Sequence, residues 1–288
     1  MKDIVTYIIL TICSTQAWAD NWLRDAEPTL LEVRYTRTQV TDTTMRSSRY
    51  FTEETMLRIG PSMSRFCSVP YYYRDSLMFC APDLYWQMEA ASFHKDPIEH
   101  DRTTLQRSGR YWSTIYKNYP AGKLTETSYF DLTNWRYTED WEQPEWEMCE
   151  ETEEILGYQC FKATTHYRGR RWTAWFAPEI PFHDGPWKLC GLPGLILEAG
   201  DDTGEYHFIA CGLMQSDRPD VGYLIHREKR GVTNVTRDQF FNNWWHYTNT
   251  DSSANIRAMY GVSSSTAPQE SKSITHHDKE ETDYPHDL

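Results

Sequence analysis

Apolar and polar residues alternate in short runs separated by turn formers, the period of half-buried β-strands. Leu31 to Val40 predicts a strand with Leu31, Val33 and Tyr35 on one face and Glu32, Arg34 and Thr36 on the other. Thr55 to Arg58 and Ser64 to Val69 predict two more, broken by Gly60-Pro61. The clearest hairpin runs from Gly157 to Pro178. Its arms, Tyr158 to Tyr167 and Arg171 to Ala177, meet at Arg168-Gly169-Arg170, where glycine supplies a positive φ. The second arm gathers Trp172, Ala174 and Phe176 on one strongly apolar face. Leu195 to Ala199 and Glu205 to Cys211 predict another hairpin around Asp201-Asp202-Thr203-Gly204. The strongest helical signal comes late. Thr236 and Gln239 have the spacing of a capping box, and Phe240, Phe241, Trp244, Trp245 and Tyr247 follow at helical intervals, a stripe suited to packing on a sheet. The pattern predicts a mainly β protein: one curved antiparallel sheet with a few packed helices.

Both ends depart from it. Lys2 precedes the apolar run Ile4 to Ile12, and Ala17-Trp18-Ala19 offers small residues to a signal peptidase, which predicts a cleaved secretory signal over residues 1–19. Lipidation at Cys13 would need a small residue where Ile12 stands, so the signal reads as that of a soluble exported protein. Residues 20–262 then form a single β-rich domain. From Ser263 to Leu288 the chain has hardly any large apolar residue and is expected to be a disordered polar tail. Its His276, His277 and His286 read as solvated side chains rather than metal ligands.

Charge narrows the function classes. The 288 residues carry 42 acids against 29 bases, a formal charge of −13 that argues against nucleic acid as a partner. A mean hydropathy of −0.71 excludes a multi-span membrane protein, so the mature chain is not membrane-spanning. Glu139 to Glu154 holds nine acids and no base. It lacks the ligand order of a calcium loop and reads as a solvated strand face with Trp141, Trp146 and Met148 turned inward. Loss of the signal leaves Cys67, Cys80, Cys149, Cys160, Cys190 and Cys211, an even set that in an exported chain suggests disulfides. Cys149 and Cys160 flank Glu154-Ile155 symmetrically, so a hairpin centred there would oppose them; Cys67 with Cys80 and Cys190 with Cys211 are the further candidate pairs.

No nucleophile elbow, zinc-protease helix, Walker loop or dinucleotide fingerprint is present, and neither a metal nor a cofactor is expected. His183-Asp184 and Asp201-Asp202 offer acid/base groups, yet adjacent residues on a strand point to opposite faces and both pairs sit beside turn formers. Leu192-Pro193-Gly194-Leu195 suits a type II turn, with proline fixing φ and glycine accepting the positive value that follows. Gly191 permits a close approach of another chain.

Gly191 to Ile196 reads GLPGLI, and this chain resembles the GLPGLI family of exported Bacteroidota proteins. The resemblance extends through Ile155-Leu156-Gly157-Tyr158-Gln159-Cys160, Arg168-Gly169-Arg170, Ala174-Trp175-Phe176, Pro178-Glu179-Ile180-Pro181 and Gly185-Pro186, and covers roughly residues 30 to 230. It implies an exported protein with no established activity, cofactor or substrate. It also implies that Gly185, Pro186, Gly191, Leu192, Pro193, Gly194, Leu195 and Ile196 form a family motif, read here as structural. The Gly-Tyr-x-Cys strand followed by a Trp-rich strand is similar to LolA-like lipoprotein carriers, which implies a half-barrel. The expectation is thus a non-enzymatic protein of the periplasm, the outer membrane or the extracellular space. It would bind an apolar ligand or an envelope partner polypeptide on the face of Trp172, Ala174 and Phe176. The alternative is an envelope hydrolase or peptide-processing enzyme whose site assembles only in the fold, with His183, Asp184 and Asp201 the first candidates.

Overall fold

The computed structural model describes residues 22–40, 43, 50–92, 111–215, 220–225, 228, 231–249 and 279–284. The expected signal, Cys13, and residues 263–278 and 285–288 of the polar tail lie outside them. The strands are β1 (Leu23–Glu27), β2 (Leu31–Val40), β3 (Tyr50–Ile59), β4 (Ser64–Ser68), β5 (Thr114–Lys117), β6 (Lys123–Phe130), β7 (Thr133–Asp140), β8 (Glu147–Ile155), β9 (Tyr158–Tyr167), β10 (Arg170–Ala177), β11 (Leu195–Asp201), β12 (Tyr206–Met214), β13 (Val221–Leu224) and β14 (Thr233–Asn234). Helices α1 (Val69–Cys80) and α2 (Pro82–Ser92) follow β4, and α3 (Arg237–Asn249) follows β14.

Twelve strands form one sheet in the order β14-β7-β6-β5-β4-β3-β2-β12-β11-β10-β9-β8, while β1 and β13 pair separately. The sheet is curved, mixed only through the parallel pairing of β14 with β7, and not closed into a barrel. Tight hairpins build it. Asp131-Leu132, Leu156-Gly157 and Arg168-Gly169 are two-residue loops with positive φ at both positions, the type I′ geometry whose twist matches the flanking strands.

The β8–β9 turn falls two residues beyond the expected centre, and this corrects the disulfide reading. Cys160 faces Glu153, and Cys149 lies in the irregular stretch between Met148 and Thr152. Cys67 stands before α1 and Cys80 at its last residue, so a helix of 12 residues, ~18 Å long at 1.5 Å per residue, separates them. Cys190 is buried within the β10–β11 loop, whereas Cys211 is exposed on β12. Among the described residues no disulfide joins any two of Cys67, Cys80, Cys149, Cys160, Cys190 and Cys211.

Register sorts the side chains into two faces. On the inner face the row Val33, Leu57, Phe66, Ile115, Glu126, Tyr137 crosses six strands from β2 to β7. Trp172, Ala174, Ala199 and Phe208 continue this face across β10 to β12, and all belong to the main core. The outer face carries Met56 and Cys67, which pack with Trp22, Leu23, Val69 and Tyr72 under α1 and the small ribbon. Ser68 caps α1 by accepting the Tyr71 N–H at 3.4 Å, and Pro70 sits in the first turn, where its missing N–H costs nothing. At the start of α3 the expected capping box forms in both directions: Thr236 N–H donates to Gln239 Oε1 at 3.1 Å, and Gln239 N–H donates to Thr236 Oγ1 at 3.3 Å. The helix then lays Phe240 and Phe241 on Tyr137, with Phe240 also edge-on to Phe130.

The GLPGLI stretch joins β10 to β11 and folds beneath the sheet. It is not a type II turn. Leu195 N–H is taken by Ile180 O at 3.1 Å, which leaves Gly194 N–H to close an i to i+2 bond on Leu192 O at 2.8 Å across Pro193. Gly194 has φ +156°, and a Cβ there would stand 2.3 Å from Ala177 O. A Cβ on Gly185 would stand 2.8 Å from Ile196 Cβ. Both glycines exist so that the loop can lie flat against its own strands. Gly194→Ala is therefore expected to cost roughly 2–4 kcal/mol, because backbone strain and overlap with a carbonyl that cannot move aside add together. Urea midpoints of the wild type and the variant check this; equal midpoints refute it.

Candidate functional site

The inner face is apolar at one end and charged at the other, and the charges begin at Glu126. The alternation Leu124, Glu126, Ser128 along β6 puts its carboxylate in a core row, almost out of water. A buried carboxylate persists in its charged form only when it is paired and hydrogen-bonded. Lys188 Nζ, from the loop before the GLPGLI stretch, lies 2.9 Å from Glu126 Oε2, and the Tyr137 hydroxyl donates to the same oxygen at 2.9 Å. Lys279 Nζ approaches Oε1 at 3.3 Å and donates to Ser113 Oγ at 3.0 Å. Burial alone would push the Glu126 carboxyl up, but Lys188, Lys279 and the Ser113 hydroxyl hold it well below the usual carboxylate range. Burial pulls Lys188 down to about 8 against the attraction of Glu126 and Glu139.

Lys279 opens a segment that composition had placed in a disordered tail. For residues 279–284 that expectation fails: Lys279, Glu280, Glu281 and Tyr284 are all buried on the inner face. Their polarity misleads because the sheet supplies a partner for each charge. Glu280 accepts from Arg37 Nη2 at 2.6 Å, and the same guanidinium reaches Glu53 at 3.2 Å and Gln39 at 3.0 Å while covering the ring of Tyr111. Glu281 accepts from Lys188 and is held on its other oxygen by Arg237, which also binds Asp283. Arg170 donates to Lys279 O at 3.1 Å, and Thr282 N–H donates to Arg168 O at 3.0 Å. Tyr284 stacks on Phe241 with centroids 5.0 Å apart. Gly169 admits the segment: a Cβ there would lie 2.3 Å from Thr282 Oγ1.

The residues expected to hold an apolar ligand lie elsewhere. Trp172, Ala174 and Phe176 are at most 1% exposed, with Trp172 against Trp187 and Phe208 and its indole N–H donated to Tyr167 O at 3.2 Å. The aromatic face is real but filled by the chain's own loop, so an apolar ligand has no room there.

His183 and Asp184 do meet at a cleft of about 160 Å³, together with Ser64, Lys117 and Trp141. Lys117 Nζ donates to Asp184 Oδ1, to Gly185 O at 2.8 Å and to Leu189 O at 3.4 Å, so this ammonium pins the loop to the sheet. Asp201 is not part of the cleft; it accepts from Arg170 at 2.7 Å and from Tyr206 N–H at 2.8 Å at the β11–β12 turn. The three candidate hydrolase residues are therefore not one constellation. Burial pushes the Cys190 thiol up to about 12 and the Cys160 thiol up to about 11, away from nucleophilic form. Among the described residues no three His, Cys, Asp or Glu side chains converge as metal ligands, and no helix is long and apolar enough to cross a membrane.

A family model described as a protein of unknown function, Porph_ging, matches residues 167–198, from the β9–β10 turn through the GLPGLI loop into β11. Two solved structures of PNGF-II, in the P21 and C2 space groups, are similar at 11% identity, with TM-scores of 0.49 and 0.48 over 76% of this chain. The chain spans about a third of their length, 34% and 33%. No curated protein matches.

Two predictions follow from the Glu126 cluster. Lys188→Met removes one partner of a buried pair and is expected to cost about 3–5 kcal/mol, read from denaturant midpoints. Because the Glu126 carboxyl is depressed in the folded state, its stabilisation is present above the unfolded value of 4.5 and is lost as pH falls below it. Midpoints between pH 7 and pH 3 should therefore fall more steeply for the wild type than for Glu126→Gln. Parallel curves would assign the acid sensitivity to other carboxylates.

Proposed function

We propose that this is an exported, non-enzymatic binding protein of the cell envelope or extracellular space, and that the inner face of its sheet holds a polypeptide. The observation that carries the reading is the seating of residues 279–284. Six residues without regular secondary structure lie on the sheet with a partner for every charge, in contact with strands, loop and α3. The strongest charges of the inner face meet this peptide, while at the His183 and Asp184 cleft the Lys117 ammonium is tied to the loop through Asp184, Gly185 O and Leu189 O. The sequence basis of the export reading is residues 1–19, with their apolar run Ile4 to Ile12 ahead of Ala17-Trp18-Ala19.

Hydrogen exchange on the full chain tests the reading at one amide. Thr282 N–H is expected to be protected by Arg168 O in the wild type and to exchange at least tenfold faster in Arg237→Gln, which loses the clamp on Glu281 and Asp283. Exchange of Thr282 at the free-peptide rate in the wild type would remove the basis for a polypeptide-binding face. Turnover in a broad hydrolase screen, abolished by Asp184→Asn, would favour the enzyme instead.

A further inference from the structure

The contacts of residues 279–284 read like those of a ligand in a groove. Lys279 answers Glu126, Glu280 answers Arg37, Glu281 answers Lys188 and Arg237, Asp283 answers Arg237, and Tyr284 stacks on Phe241. Thr282 contributes its backbone N–H and its hydroxyl, which donates to Gly169 O at 3.0 Å, so its place in the pattern is set by close approach to Gly169 rather than by charge.

Two features make this occupant exchangeable. Its hold is mostly charge, and buried ion pairs return little net free energy because desolvation offsets much of the Coulomb attraction. It is also no strand of the sheet: among the described residues it pairs with no strand in a ladder, so its departure breaks no strand pairing.

Resting on the polypeptide-binding reading above, we infer that residues 279–284 are a resident plug. The groove's exchange partner is an extended acidic polypeptide of the same pattern: a basic residue, two consecutive carboxylates, then one residue before a third carboxylate and an aromatic ring. The floor dictates the order. Arg37, Lys188 and Arg237 each turn donors toward the segment, while Glu126 awaits a single cation at its start. A basic peptide would set cations against three cations, and an apolar one would leave Lys188 and Arg37 buried beside unfilled acceptor positions, which is costly.

The test uses a fluorescently labelled peptide with the sequence of residues 279–284 and the full chain in two forms, the wild type and a variant carrying E280Q, E281Q and D283N. A tethered plug competes at an effective concentration on the order of millimolar. Anisotropy should therefore show half-saturation near millimolar peptide for the wild type and at least tenfold lower for the variant. The same peptide carrying E280Q and E281Q should bind neither form, and added salt should weaken binding to both. Binding to the variant without any exchange into the wild type at ten times the expected concentration would overturn the plug while leaving the polypeptide-binding reading intact. Binding to neither form would overturn both. Should the triple variant lose its near-ultraviolet circular dichroism, Tyr284→Ala serves as the open form, with the same expected ordering of affinities and the same overturning results.

Discussion

One carboxylate in the wrong place organises this molecule. Glu126 occupies a row otherwise made of Val33, Leu57, Phe66, Ile115 and Tyr137, and the pleat gives it no route to water. A lone charge there would cost several kcal/mol, far more than a domain of marginal stability can spare. Two lysines from distant parts of the chain relieve it. Lys188 arrives on the loop that ends in the GLPGLI motif, and Lys279 arrives after α3 and its following connection. Each lysine brings its own neighbours. Beside Lys188, Trp187 closes over Trp172 and Leu189 enters the core; beside Lys279, Glu280 and Glu281 reach Arg37 and Arg237. The loop and the terminal segment are thus two halves of one solution, meeting where Glu281 accepts from Lys188.

Buried networks of this kind specify more than they stabilise. Replacing such pairs by apolar side chains is often neutral or favourable, whereas removing one member is costly. What the charges secure here is register. A strand slipped by one residue would carry Glu126 to the outer face and turn its apolar neighbours to solvent. The ammonium groups would then lose their anion, and Arg37, two residues along β2 from Tyr35, would face Glu53 only if β2 and β3 kept their present pairing. All of the twelve strands but β14 pair antiparallel, and β2, β3 and β9 run to ten residues each, so this selection has a use.

Much of the frame was legible in local pattern. β2 spans the predicted Leu31 to Val40, the arms of the β9–β10 hairpin fall within one residue of their expected limits, and α3 begins at its capping box. These features depend on neighbours in sequence: strand period, positive φ at glycine, reciprocal hydrogen bonds at Thr236 and Gln239. The candidate site was not legible because its partners are far apart; Lys188 and Glu281 are separated by 93 residues, Arg37 and Glu280 by 243. Composition alone made residues 279–284 look unable to pay for order, since it counts their charges without knowing that a sheet holds the complements. A signal was nevertheless present in β6, where Glu126 stands in phase with Leu124 and Phe130, and in β2, where Arg37 stands in phase with Val33 and Tyr35. A charge in phase with a buried apolar face must find a partner, which is a sequence-level prompt to look for one.

The aromatic richness of the chain also takes on a different meaning. Rings at Trp172, Trp187, Phe208, Phe66 and Tyr111 pack edge to face or tilted through the core, and Tyr111 and Tyr206 extend this packing to the guanidinium of Arg37. Lys279 similarly lies over Phe240 and Phe241. An aromatic face offers cations a surface that aliphatic side chains do not, and each such contact contributes ~0.5–2 kcal/mol depending on desolvation. Tyr111, Tyr206, Phe240 and Phe241, and not the Trp172 and Phe176 that suggested an apolar ligand, thereby serve as the lining of a charged groove. An aliphatic core could cover the inner face equally well. It could not carry Arg37 and Lys279 over its surface on the way to Glu53, Glu280 and Glu126, and so could not seat the terminal segment.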